Sequence, residues 1–100
     1  MSPQLPIPLE ALTAFCHKWQ IKELSLFGSV LRDDFRPDSD VDILVAFQPG
    51  ISHQIEAWIE MEDELKTMFG REIDLVERRL IVNPFRRHHI LTNRQVLYAA

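Results

Sequence analysis

The sequence is poor in the residues that staple, punctuate or anchor a chain. A single cysteine, Cys16, leaves no partner for an intrachain disulfide and fits a reducing compartment. Three glycines and six prolines in 100 residues exclude a fibrous or low-complexity chain. No apolar run approaches the roughly 18 residues that a membrane-spanning helix needs. The N-terminal stretch MSPQLPIPLEA has neither the basic region nor the apolar core of a secretory signal. A cytoplasmic protein is therefore expected.

What is present is ordinary globular composition, 46% hydrophobic and 26% charged, enough for one modest core. A single domain over residues 1–100 is expected. The formal charge of −4 is unevenly spread. Residues 1–70 carry five Lys/Arg against twelve Asp/Glu; residues 71–100 carry six Arg against three Asp/Glu. The basic third is either charge compensation across the fold or a docking face for an anionic partner, with Arg78, Arg79, Arg86 and Arg87 as candidates. Without interleaved aromatics, and on an acidic protein, direct nucleic-acid binding is not expected.

Periodicity predicts alternating helices and strands. Pro8 opens a helix whose stripe is Leu9, Leu12, Phe15, Cys16 and Trp19. A strand is expected over Glu23–Phe27, ended by Gly28, and a short helix over Ser29–Asp33. Residues 35–39 read as loop. The run VDILVAF, Val41–Phe47, is nearly continuously apolar after Asp42, as in a central strand covered on both faces. Ser52 is the expected cap of the next helix, with Ile55, Trp58, Ile59, Leu65 and Met68 or Phe69 on its stripe and Gly70 as its stop. REIDLVE, residues 71–77, is a third strand. Asn83-Pro84 caps a last helix carrying Phe85, His88, Ile90 and Leu91, and Gln95–Tyr98 is a closing strand. This order implies an α/β (α+β) fold, a small mixed β-sheet packed by helices. Trp19 and Trp58 lie on helical stripes and are expected in the core or at a partner interface. His88 is expected to pack and His89 to be solvated; without a second close pair of ligands they are not a zinc site.

Five aspartates, Asp33, Asp34, Asp38, Asp40 and Asp42, crowd into ten positions. Asp40 and Asp42 share a side of the coming strand, because strand side chains alternate with period two. Asp74 interrupts another apolar strand, where aspartate is disfavoured. If the two strands are neighbours, three carboxylates converge, and such a cluster needs a hard cation. Asp33, Asp34 and Asp38 read as solvated loop. Upstream, Gly28 lets the backbone approach a ligand, and Ser29 can contact a phosphate oxygen. Arg32, one turn on, can reach the same anion.

Read together, FGSVLRDDFRPDSDVDILVAF and REIDLVE resemble the signature of nucleotidyltransferases of the DNA polymerase β superfamily. The small size makes the chain similar to the minimal nucleotidyltransferases, the MNT antitoxins encoded beside HEPN-domain toxins. The likeness covers about Leu24–Val76 and the closing ILTNRQVLY. It implies a polymerase β-like nucleotidyltransferase fold, Mg²⁺ (two ions) and ATP. It implies nucleotide contacts at Gly28 and Ser29, beside which the spacing sets Arg32, and metal-binding, catalytic carboxylates at Asp40, Asp42 and Asp74, the last also assisting deprotonation of the acceptor. It further implies transfer of AMP to a hydroxyl, a tyrosine, of a HEPN toxin, with neutralisation by binding alone as the alternative. Homo- or hetero-oligomers are both compatible. One position departs from the family: Asp33 stands where glycine is frequent.

Overall fold

The structure, a computed structural model, describes residues 6–32, 36 and 38–100. The elements run α1 (Leu9–Lys18), β1 (Ile21–Phe27), a 3-10 turn (Gly28–Leu31), β2 (Val41–Phe47), α2 (Ile55–Phe69), β3 (Ile73–Glu77), a second 3-10 turn (Arg78–Leu80), α3 (Pro84–Thr92) and β4 (Arg94–Ala99). Four strands form one mixed sheet in the order β3-β2-β1-β4. β1 runs antiparallel to β2 and to β4, whereas β2 and β3 are parallel, joined by the α2 crossover.

Strand period sorts the side chains onto two faces. Val41, Ile43 and Val45 of β2, with Leu24 and Leu26 of β1, pack against Leu12, Phe15 and Cys16 of α1 and Met61 and Leu65 of α2. The opposite face holds a smaller cluster of Phe27, Leu44, Ile81 and Ile90, the last from α3. β2 is therefore covered on both faces, which is why its sequence is almost wholly apolar. Cys16 is buried and free, and burial pushes its thiol up to about 12. No helix of the described residues is long and apolar enough to cross a membrane.

Punctuation follows the sequence at most boundaries. Gly70 ends α2 in the left-handed region at φ 67°. The Asn83 side chain accepts hydrogen bonds from the Phe85 and Arg86 amides at 2.9 and 3.1 Å, with Pro84 at the first helical position. Three expectations are corrected. Ser52 caps nothing: α2 begins at Ile55 behind Gln54, with no side-chain cap bond. The α2 stripe departs at its start, since Met61 is buried with Leu65 whereas Ile55 and Ile59 are 65% and 52% exposed. His88 is exposed rather than packed, because only Ile90 of α3 turns fully into the sheet. Trp19 is buried, and its indole N–H donates to Glu64 at 3.3 Å, so it belongs to the core; Trp58 packs against that core half-buried.

Candidate active site

The parallel pairing of β2 and β3 sets Asp42 opposite Asp74, with Val41 opposite Ile73 and Ile43 opposite Leu75. The flanking apolar residues turn into the main core, so the two carboxylates project to the α3 side. On the other neighbour of β2, Phe27 pairs with Asp42. Gly28 follows at once, at φ +76°, and a Cβ there would lie 2.1 Å from Asp42 Oδ2. Only glycine satisfies both the backbone angle and the approach of the carboxylate.

Asp42 is half-buried, and its carboxyl is pushed up to about 6. Burial is the largest cause, then the Asp74 carboxylate, which shares a hydrogen bond with it, and then Asp40; Arg32 pulls the other way. Two carboxyls brought this close mark a place where positive charge is favoured. The donors are all hard oxygen, which suits Mg²⁺. Asp40 lies in the segment before β2 and is exposed. As the side chains stand, no group of three His, Cys, Asp or Glu among the described residues is gathered closely enough to hold a metal. Asp42 and Asp74 thus meet by strand register, whereas Asp40 stands at the rim.

A cleft of about 340 Å³ opens beside Asp42. One wall is Phe27, Gly28, Leu31 and Arg32, from the end of β1 and the turn after it; the other is Arg86, His89, Ile90 and Asn93 of α3 and its C-cap. Ser29 is half-buried in the same 3-10 turn, which occupies Gly28–Leu31; the predicted helix end at Asp33, like that residue's departure from the family, falls outside the described residues. Gly28, Arg32 and Asp42 are thus brought to one cleft. The α3 wall was not foreseen. His89 is exposed, as expected, but it and Arg86, which read as part of a docking face, line the cleft; the rotation of a helix about its axis is set by packing that its own sequence states weakly. The one available signal was Ile90, whose burial fixes His89 and Asn93 on neighbouring flanks. Nor do the four C-terminal arginines form one face. Arg86 lines this cleft, whereas Arg78, Arg79 and Arg87 line another.

A mixed sheet with paired carboxylates beside a glycine turn defines a class of enzymes that transfer phosphorus groups. Comparison places the chain within that class. Residues 9–97 match the nucleotidyltransferase domain family. The protein adenylyltransferase MntA of Thermococcus cleftensis is 39% identical over 59 residues, covering 59% of this chain and 58% of its own. A solved structure provisionally named a minimal nucleotidyltransferase is 30% identical with a TM-score of 0.69, covering 86% of this chain and 85% of its own. The MNT antitoxin complexed with a tri-AMPylated HEPN toxin of Shewanella oneidensis shares the fold at 18% identity, with a TM-score of 0.65 over 92% of this chain and 70% of the other. The chain belongs to the nucleotidyltransferase domain family, as a minimal, polymerase β-type nucleotidyltransferase.

Proposed function

We propose that this chain is the antitoxin of a toxin–antitoxin pair and that it transfers AMP from ATP to a hydroxyl, a tyrosine, of a HEPN-type toxin. The observation that carries the reading is the register of Asp42 on Asp74, held against Gly28 with no room for a side chain. The adenylyltransferase relative and the AMPylated toxin complex support the choice of nucleotide and partner. Residues 1–100 act as one minimal domain, and the toxin supplies the acceptor.

Asp42 and Asp74, with Asp40 brought in from the rim, would hold Mg²⁺, which when bound would offset the charge that grows on the phosphate oxygens. The chain's own groups do the rest. The turn at Gly28 and Ser29 contacts the triphosphate, and the Arg32 guanidinium balances its charge. The acceptor oxygen attacks the α-phosphorus in line. A new P–O bond forms, the bond from the α-phosphorus to the bridging oxygen breaks, and pyrophosphate leaves with that electron pair. Asp74, exposed at the end of the pair, takes the hydroxyl proton.

The test is to incubate the protein with the HEPN protein encoded beside it, Mg²⁺ and labelled ATP, and to weigh the partner. A gain of one or more AMP residues, lost in Asp40→Asn/Asp42→Asn, is the expected result. Neutralisation by that double variant with no label transferred would overturn the catalytic reading and leave neutralisation by contact.

A further inference from the structure

The second cleft lies under the same helix, at the other end of β2. Ala46 faces the α3 side like Asp42, four residues further on, so the two clefts are separated by about 13 Å along the strand. The closed cluster of Phe27, Leu44, Ile81 and Ile90 fills the space between them. The cleft measures about 330 Å³, the lower end of small-molecule pockets. Its floor and turn are Ala46–Ile51, and its other wall is three arginines, Arg78, Arg79 and Arg87.

The charges there do not cancel. Glu77, buried, accepts both of its bonds from Arg79, each at 3.1 Å. Arg78 reaches Glu23 only at 3.9 Å, and Glu23 is already bound closely by Arg94. Arg87 donates to the Arg78 carbonyl at 3.1 Å and has no carboxylate within ion-pair distance among the described residues. Three guanidiniums, Arg78, Arg79 and Arg94, thus share two carboxylates, Glu23 and Glu77, and Arg87 joins them only through the Arg78 carbonyl. The excess of two positive charges sits beside the apolar surface of Phe47, Pro49 and Ile51, where an anion is poorly screened by water. Guanidinium forks match the paired oxygens of a phosphate.

We propose that the cleft between the Gln48–Ile51 turn and Arg78, Arg79 and Arg87 is an oligophosphate-binding site, separate from the nucleotidyl-transfer centre. Arg87 and Arg78 grip the phosphate oxygens, and Arg79, committed to Glu77, holds the wall. The site does not depend on the partner protein or on Mg²⁺.

The test is calorimetric titration of the full chain with tripolyphosphate, without Mg²⁺, at two salt concentrations. Binding should weaken as salt rises. Arg87→Ala should lose about tenfold in affinity, whereas Asp40→Asn/Asp42→Asn and Arg86→Ala should bind as the wild type does. Because Arg87 also supports a backbone carbonyl, Gln48→Glu serves as the second variant. It keeps every arginine and the shape of the turn while placing a carboxylate at the cleft, and it should bind tenfold or more weakly. Wild-type affinity in both Arg87→Ala and Gln48→Glu, or a loss confined to Arg86→Ala, would overturn the proposal by placing the anion elsewhere.

Discussion

Gly28 is the residue on which the geometry of the candidate site turns. Its φ is positive, and its missing Cβ is the space that Asp42 Oδ2 occupies. Gly28→Ala should destabilise the fold by about 1–2 kcal/mol from the left-handed backbone alone. It should also move the Asp42 carboxylate, so adenylyl transfer should fall further than stability does; urea unfolding beside a transfer assay separates the two. Asp42 gives a pH signature. Its folded carboxyl titrates near 6, above the ordinary 3.8, so folding favours the protonated form. That contribution is whole below the ordinary value and is lost as pH rises through 6. Full burial would make the gap worth about 3 kcal/mol, and for a half-exposed carboxylate about 1 kcal/mol survives solvent screening. In metal-free buffer, Asp42→Asn should therefore match the wild type at pH 4 and exceed it by about 1 kcal/mol at pH 7.5, read by thermal unfolding at both pH values. Asp74 was legible in the sequence for a physical reason, since an acid within an apolar strand has few bland explanations, whereas Asp42 gained weight only in combination with Asp74 and the Gly-Ser turn. Arg86, His89 and Asn93 were not legible, since polar residues on a short helix look alike whether they face water or a cleft.

At the scale of elements, the strands announced themselves more clearly than the helix faces did. β2 is buried on both sides and could hardly be read otherwise. α2 was placed correctly, and its Trp58, Leu65, Met68 and Phe69 pack on the core, but Ile55 and Ile59 are exposed and Met61 supplies the contact expected of them. Met61→Ala should cost about 2–4 kcal/mol, and Ile59→Ala less than about 0.5 kcal/mol, in chemical denaturation. α3 buries little, so its position depends on its ends. Removing the Asn83 cap by Asn83→Ala should cost about 1 kcal/mol. The same change should raise KM for ATP more than it lowers kcat, because α3 forms one wall of the cleft beside Asp42 and contributes no carboxylate to it.

For the whole molecule, the sheet does two jobs with one face. The α1–α2 side is sealed by the main core, and the α3 side carries both clefts, at opposite ends of β2. The two halves of the carboxylate pair are 32 positions apart, so no fragment lacking β3 contains the site. They are also mutually repulsive, so the flanking apolar pairs, Val41 with Ile73 and Ile43 with Leu75, must offset the cost of holding the acids together. A consequence follows for timing in the cell. At about 5–20 residues per second, a ribosome needs several seconds to go from Val41 to Glu77. Throughout that interval the growing chain already contains its glycine turn and first acids but lacks the strand that completes the pair. If the chain restrains a toxin, protection must come from copies completed earlier, and any pause in translation before residue 77 favours the toxin.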